Sequence, residues 1–254
     1  MSRLMLMGFA LVAYAVFFAT FLYLIAFVGD LPIVPVTVDR GPEAASATAL
    51  AVNLGLIALF GLQHSAMARQ GFKRWWTRIV PPAAERSFYV LAASLMLILL
   101  FWGWRPMTAT VWQVDTAIGA AALWTVFAAG WGIVLLSTFL INHFELFGLQ
   151  QAWFALRDRA AAAPQFRQPF FYRFVRHPLY SGFFLAFWAT PHMTAGHLLL
   201  AAGMSAWMLL AIRAEEKDLV AVFGPDYEDY RARVGMLAPG IGRARASRTA
   251  APAE

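Results

Sequence analysis

The chain has 254 residues, of which 61% are hydrophobic and only 13% are charged. Soluble proteins are about half apolar and about one quarter charged, so the composition excludes a water-soluble fold and also excludes intrinsic disorder. The chain contains no cysteine, which excludes disulfide bonds, cysteine-ligated zinc, iron–sulfur clusters and a cysteine nucleophile. The net charge of +6 is spread over the connections between apolar runs, which argues against nucleic acid as a partner. A lipid bilayer is therefore the predicted environment.

Four apolar runs are long enough to cross a bilayer as helices, because a span needs about 20 residues at a rise of about 1.5 Å per residue. They are residues 5–28, 47–67, 87–104 and 116–140. The first run is longer than the apolar part of a signal peptide, and no small-residue cleavage site follows it. It is therefore predicted to be retained as a span.

A fifth apolar stretch, residues 179–212, is interrupted by proline and glycine within 190–197, which predicts a tight helical hairpin. Each arm is short for a perpendicular span, so we expect tilting or partial penetration. The predicted fold class is all-α: a polytopic helical membrane protein with four full spans and a C-terminal transmembrane hairpin, which gives five to six spans. Residues 1–239 are predicted to form one integral-membrane domain, and the Ala-, Arg- and Ser-rich residues 240–254 a disordered tail.

Lysine and arginine alternate regularly between the connections. Residues 68–86 and 142–178 carry five basic residues each, whereas residues 29–46 and 105–115 carry one each. Short cytoplasmic connections are enriched in basic residues, so the two basic connections and the tail from Arg213 are predicted to lie in the cytoplasm, with the protein in a bacterial inner membrane. A functional site built from these three polar segments would face the cytoplasm.

The segment at residues 173–182 is predicted to bind an anion where a polar connection enters the membrane. Pro178 suits the first position of a helix, which places His177 near the N-cap and leaves backbone N–H groups of the first turn without partners. With Arg176 adjacent, the segment could receive a carboxylate or a phosphate. The alternative is a basic membrane-anchoring connection with an ordinary helix start, since arginines commonly extend to the interface.

A second polar segment, residues 213–218, follows the hairpin. The hairpin returns it to the same side as Arg176 and His177, so that Glu215 and Glu216 can face a cationic site suited to a zwitterion. Because consecutive helical residues point about 100° apart, only one of the two carboxylates is expected to face a ligand. The alternative is a solvated helix end.

These motifs resemble a known family. Arg-His-Pro-Leu-Tyr at residues 176–180 with glycine at 182, a short hairpin, and the pair of glutamates resemble the integral-membrane methyltransferases typified by isoprenylcysteine carboxyl methyltransferase and phospholipid N-methyltransferases. The resemblance implies that residues of about 142–235 bind S-adenosylmethionine, which enters from the cytoplasm. The implied cofactor-binding residues are Arg176, His177, Pro178, Tyr180, Gly182, Glu215 and Glu216.

The N-terminal part of the chain indicates which group of these methyltransferases the chain resembles. Residues 61–69 and 141–151 are similar to segments of the bacterial methanethiol S-methyltransferases, within a wider group that includes NnrU-like denitrification accessory factors. This implies S-adenosylmethionine-dependent conversion of methanethiol, a small volatile thiol that can arrive through the lipid, to dimethyl sulfide. No obligate protein partner is predicted. The alternatives are another methyl acceptor, namely an isoprenylcysteine carboxylate, a phospholipid amine or hydrogen sulfide, and a non-enzymatic membrane accessory protein.

Two histidines lie at the same predicted depth, His64 near the end of the second span and His143 after the fourth. A thiol is mostly protonated at neutral pH and reacts as the thiolate, so an imidazole base would suit the reaction. Both histidines are candidate catalytic residues; the alternative is that each only binds a neighbouring helix or lines the headgroup region. No metal is predicted, since a methyl sulfonium needs no Lewis acid and only Glu145 offers a further ligand. His192 and His197 are predicted to be interfacial, on the opposite side.

Overall fold

The computed structural model describes residues 2–160 and 166–244, which are mostly helical. The helices in chain order are α1 (Arg3–Val28), α2 (Ser46–Ala68), α3 (Gln70–Trp76), α4 (Pro82–Gly103), α5 (Ala117–Ile141), α6 (His143–Leu146), α7 (Leu149–Leu156), α8 (Pro178–Trp188), α9 (Ala195–Phe223) and α10 (Pro225–Arg233). Two short strands, β1 (Thr110–Gln113) and β2 (His192–Thr194), and a 3-10 turn at Phe170–Arg173 are also present.

Five helices are long and apolar enough to cross a membrane, namely α1, α2, α4, α5 and α9. The four predicted full spans and the all-α membrane fold are confirmed. Helix α4 begins at Pro82, five residues before the predicted start at residue 87. The prediction missed this first turn because the turn contains the charged residue Glu85. Apolar length does not detect such a turn, although proline at its start is a typical helix signal.

The outer surface of the helices is apolar. Many large hydrophobic side chains on the spans are exposed in the isolated chain, among them Leu11, Leu54, Leu99, Leu136 and Leu210. A soluble protein rarely exposes so many contiguous apolar side chains. Their natural environment is lipid, which agrees with an integral multi-pass membrane protein.

The predicted hairpin is formed by α8 and α9, and its arms differ in length. Helix α8 has 11 residues and α9 has 29; at about 1.5 Å per residue α8 rises about 16 Å, roughly half of the apolar thickness of a bilayer. The connection between them contains β2, which pairs antiparallel with β1. These strands were not predicted, because segments of three or four residues carry no periodicity and pair only when the two connections meet in space.

Helices α5 and α8 cross in close contact at two glycines. A Cβ on Gly182 would lie 2.6 Å from the Gly130 carbonyl oxygen, and a Cβ on Gly130 would lie 2.7 Å from the Gly182 carbonyl oxygen. Neither side chain can be enlarged without separating the helices. Small residues bring membrane helices together in this way, and this contact anchors α8 to the rest of the bundle.

The chain after α10 folds back against the entry of α8. Val175 forms a parallel bridge with Gly235, and the Ser181 hydroxyl donates to the Leu237 carbonyl at 2.7 Å. Of the predicted tail, residues 240–244 are described and include Gly242, whose carbonyl accepts hydrogen bonds from Arg176. The remainder, residues 245–254, lies outside the described residues.

Candidate active site

Glu216 lies at the centre of a buried ionic cluster, which we call the Glu216 cluster: Glu216, Arg176, His177 and Arg231. Its Oε1 accepts from Arg176 Nε at 2.7 Å and from His177 Nε2 at 3.1 Å. Its Oε2 lies 3.3 Å from Arg231 Nε. The carboxylate is thus surrounded by two guanidinium groups and an imidazole of this chain. Such a group has little capacity left for a ligand.

Arg176 is also fully engaged by the chain itself. Its Nη1 donates to the carbonyl oxygens of Val234 at 2.5 Å and of Arg231 and Gly242 at 3.2 Å. Its backbone N–H donates to the Gly235 carbonyl at 2.8 Å. The guanidinium therefore joins α9 to the C-terminal segment. This arrangement suits a residue that holds the site together better than the predicted receptor for a ligand carboxylate.

Glu215 points to a different side of α9 from Glu216. Its side chain is 47% exposed, against 11% for Glu216, and His177 Nδ1 lies 4.0 Å from its Oε2. Tyr180 and Glu215 interact electrostatically. Burial, and then the Glu215 charge, raise the pKa of Tyr172. Among the described residues, no arginine or lysine forms an ion pair with Glu215, so its charge is available to a cationic ligand.

His64 on α2 lies beside Tyr89 on α4. The Tyr89 hydroxyl is 2.8 Å from His64 Nε2 and 3.1 Å from Nδ1. The Phe60 ring stacks on the imidazole at 5.4 Å between centroids. The hydroxyl lies within hydrogen-bond distance of both nitrogens, and within residues 2–160 and 166–244 Tyr89 is the sole hydrogen-bond partner of His64. The two nitrogens of His64 therefore share one partner.

The same α9 that carries Glu215 also packs on the helix that carries His64. Gly61, one turn before His64, lies so close to Trp207 of α9 that a Cβ at this glycine would be 2.3 Å from the indole ring. At the end of the bundle, α3 contributes Lys73. Burial, and then the Arg86 charge, lower the pKa of Lys73, and the charges of Glu85 and Asp218 only partly oppose this shift. Helices α2, α3, α4, α8 and α9 thus converge at the basic end of the bundle.

His143 occupies a different environment, against α1 and α5. Its Nε2 lies 2.8 Å from the Tyr14 hydroxyl and its Nδ1 lies 2.8 Å from Thr138 Oγ1. Because Thr138 donates its own proton to the Leu135 carbonyl at 2.7 Å, it accepts from Nδ1–H, and Tyr14 donates to Nε2. Burial lowers the pKa of His143. Both nitrogens are satisfied, and the ring is packed on Phe139 at 4.2 Å.

The remaining predicted residues have mainly structural positions. Pro178 is the first residue of α8, as predicted, and His177 is its N-cap without a capping hydrogen bond from the side chain. Gly182 faces α5 at the glycine crossing. On the opposite side His192 is exposed, whereas His197, predicted to be interfacial, is buried and lies 2.9 Å from the Phe187 carbonyl through Nε2.

A basic cavity of about 320 Å³ lies between α9 and α10. It is lined by Arg213, Glu216, Lys217, Val220 and Arg231. The α9 residues of this cavity are spaced three or four apart and share one face of the helix, different from the face of Glu215. The cavity thus adjoins the Glu216 cluster from outside the bundle.

A family model described as NnrU protein matches residues 52–246. The chain belongs to this family. It is 52% identical to a methanethiol S-methyltransferase of Mycobacterium tuberculosis over 94% of this chain and 98% of the relative. It is 46% identical to a methanethiol S-methyltransferase of Crocosphaera subtropica over 96% and 95% of the two chains. A nurim homolog of Drosophila melanogaster is 30% identical over 63% of this chain and 66% of the relative. No solved structure matches the chain. The resemblance inferred from the motifs is confirmed.

The site also contains residues that the motifs did not indicate, chiefly Tyr89 and Arg231. Tyr89 lies 25 positions from His64 and on another helix. The only signal in the sequence was a tyrosine at the basic end of a predicted span, at the same depth as His64. Arg231 lies on α10, and nothing local in the sequence indicates that its side chain returns to Glu216.

Proposed function

We propose that this protein is an integral-membrane methyltransferase that transfers the methyl group of S-adenosylmethionine to methanethiol and forms dimethyl sulfide. The observation that carries the proposal is the near full-length similarity, at about half identity, to proteins named methanethiol S-methyltransferase. The basic end of the bundle supports it, because Glu215, which has no arginine or lysine partner among the described residues, and His64, whose only described partner is Tyr89, both lie there.

The charges at this end of the bundle fit S-adenosylmethionine. The molecule carries an ammonium and a sulfonium, and Glu215 is a carboxylate without an arginine or lysine partner among the described residues. Tyr180 beside it offers a hydroxyl. We therefore assign the cationic part of the cofactor to Glu215 and Tyr180, and we assign Glu216 to holding the site together. When bound, the cofactor supplies a methyl group activated by positive sulfur.

The carboxylate of the cofactor would suit the start of α8. Pro178 has no N–H, His177 provides no side-chain cap, and the His177 N–H is used by the Met236 carbonyl at 3.1 Å. The first-turn N–H groups of Leu179 and Tyr180 remain for an anion, supported by the helix dipole. In this proposal Arg176 keeps the segment in place through its bonds to the C-terminal residues.

His64 is the proposed base at the acceptor. One ring nitrogen keeps the Tyr89 hydroxyl and the other accepts the proton when the S–H bond of the thiol breaks, and the electron pair stays on sulfur as the thiolate nucleophile. The surrounding Phe60, Tyr89 and Trp207 side chains are aromatic and suit a small apolar thiol. His143, with both nitrogens bonded, has no position left for a substrate proton.

The membrane location suits the different polarities of the thiol and the cofactor. A volatile apolar thiol can reach the aromatic surroundings of His64 from the lipid, whereas a charged cofactor needs an aqueous approach. The basic end of the bundle is therefore proposed to face the cytoplasm, with the protein in a bacterial inner membrane.

The reaction can be tested directly on purified protein in detergent or in liposomes. Incubation with S-adenosylmethionine and methanethiol should release dimethyl sulfide, measured by headspace gas chromatography, and should form S-adenosylhomocysteine in equal amount. Reactions without protein or without cofactor are the controls. Cofactor binding without dimethyl sulfide would contradict the assigned acceptor. Hydrogen sulfide, a prenylated cysteine and a phospholipid amine would then be tested in its place.

The second candidate, which the motifs left open, is a membrane accessory protein without catalytic activity. That function requires no affinity for S-adenosylmethionine. Isothermal titration of the purified protein separates the two: binding at micromolar concentrations contradicts the accessory function, and no binding up to millimolar concentrations contradicts the methyltransferase.

A further inference from the structure

A tyrosine that no motif indicated lies against the proposed base. Tyr89 contacts the His64 imidazole with its hydroxyl at 2.8 Å, and their rings lie 5.1 Å apart between centroids. Within residues 2–160 and 166–244, no other side chain forms a hydrogen bond with His64.

The orientation of His64 depends on this single hydroxyl. In a neutral imidazole one nitrogen carries a proton and the other a lone pair. The Tyr89 hydroxyl lies 2.8 Å from Nε2 and 3.1 Å from Nδ1, so it can accept the N–H of one nitrogen and leave the lone pair of the other for a thiol proton. A hydrogen-bonded partner on one nitrogen is the usual way to select the reactive tautomer of a catalytic histidine.

Tyr89 is itself held firmly. The Arg86 guanidinium lies over its ring at 5.4 Å, and Arg86 Nε donates to the Leu146 carbonyl at 2.9 Å. The ring therefore has little freedom to rotate away from His64. The charged and titratable groups that face the pair from the neighbouring helices are Glu85 and Arg86 on α4, Tyr180 on α8 and Glu215 on α9.

We propose that Tyr89 is a positioning residue for methyl transfer: its hydroxyl holds one nitrogen of His64 so that the other accepts the thiol proton. The inference rests on the proposed methyltransferase function. The proton step is balanced within the site, since the S–H bond breaks, the proton moves to His64 and the electron pair remains on sulfur. Tyr89 loses no proton overall.

The test is Tyr89→Phe, which removes the hydroxyl and keeps the ring. Turnover of methanethiol at neutral pH should fall about tenfold, the equivalent of one hydrogen bond. Affinity for S-adenosylhomocysteine, measured by isothermal titration, should stay within about twofold, because Tyr89 is not assigned to the cofactor. The lost turnover should be partly recovered at high pH, where the thiol ionises without a base.

Two thiols of nearly the same size sharpen the test. Trifluoroethanethiol is more acidic than ethanethiol and depends less on a base, so Tyr89→Phe should slow ethanethiol more than trifluoroethanethiol. The matched control is Tyr14→Phe, which removes the same hydroxyl from the other tyrosine–histidine pair. In Tyr14→Phe any loss of turnover relative to the wild type should be the same for both thiols. An equal loss for both thiols in Tyr89→Phe would overturn the inference.

A measurement independent of turnover is available because the chain has only five histidines. Nitrogen NMR of protein labelled in its imidazoles reports which ring nitrogen carries the proton, and the His64 signals are assigned by their loss in His64→Asn. Tyr89→Phe should change the tautomer ratio of His64 and leave that of His143 unchanged. An unchanged His64 ratio would contradict the proposal. If the phenylalanine variant does not fold, 3-fluorotyrosine at position 89 should shift the pH profile, and an unshifted profile would refute the positioning role.

The failures of the two proposals are distinguishable. If the folded wild-type protein forms no dimethyl sulfide, the proposed function itself is wrong. If the wild type is active and Tyr89→Phe matches it in rate, pH profile and His64 tautomer, only the role of Tyr89 is wrong.

Discussion

His64 and His143 each lie 2.8 Å from a tyrosine hydroxyl of another helix, yet their surroundings differ in one decisive respect. His143 has a second partner, Thr138, on its other nitrogen. His64 has none among the described residues, so its two nitrogens share the Tyr89 hydroxyl. His64 is thus the better candidate base because it has one partner where His143 has two. The same reasoning separates Glu215, which has no arginine or lysine partner among the described residues, from Glu216, which has two.

The largest expected effect is on turnover when His64 is replaced. His64→Asn should lower kcat for methanethiol about 10²- to 10⁴-fold, the usual contribution of a general base, while cofactor affinity is retained. His143→Asn should lower kcat less than about tenfold, because it changes packing and not the proton acceptor. Dimethyl sulfide release at saturating cofactor measures both. Equal losses of kcat in the two variants would contradict the assignment of His64, and not His143, as the base.

The next largest effects are expected when Glu215 and Glu216 are replaced one at a time. Glu215→Gln should weaken cofactor binding about 10- to 100-fold, because it removes one charge-assisted hydrogen bond acceptor, and the melting temperature should change little. Glu216→Gln leaves Arg176 buried without its carboxylate and should destabilise the fold by about 3–5 kcal/mol. Isothermal titration measures the affinity, and the ten tryptophans report unfolding by their fluorescence. The reverse pattern would assign the cofactor to Glu216.

A smaller effect is expected at the tyrosine of the second pair. Tyr14→Phe removes the donor to His143 Nε2 and leaves a buried acceptor unpaired, which should cost about 1–3 kcal/mol of stability. The variant should melt earlier than the wild type but keep the shape of the pH profile for turnover. A shifted profile would place His143 in the reaction and contradict its structural role.

The smallest effect concerns the pH dependence of stability. Burial lowers the pKa of His143 below the ordinary value of 6.5, so the folded state favours the neutral ring. Its contribution to stability is present above pH 6.5 and is lost as the pH falls, because the unfolded chain takes up the proton first. The melting temperature should decrease below pH 6.5, and His143→Asn should show a smaller decrease. Identical pH slopes for the two proteins would exclude this contribution.

The sequence alone determined the spans, the hairpin, the basic side and the family. These properties are local, because apolar length, a Pro- and Gly-containing break and the spacing of arginines are read within a single segment. The same holds for the motif at residues 176–180, which opens α8 as predicted. Helix starts with polar first turns and the strand pair β1–β2 were missed, because apolar length does not register them.

The tertiary structure alone decided which member of each candidate pair is available to a ligand. Arg176 was expected to receive an anion, yet its donors are taken by Glu216 and by carbonyls 55 to 66 positions later in the chain. Likewise Tyr14 meets His143 across 129 positions. Hydrogen-bond partners of a buried polar group are set by which helices pack together, and no local pattern records that choice. The candidate residues could therefore be named from the sequence, but their proposed division into ligand-binding and structural groups required the packed bundle.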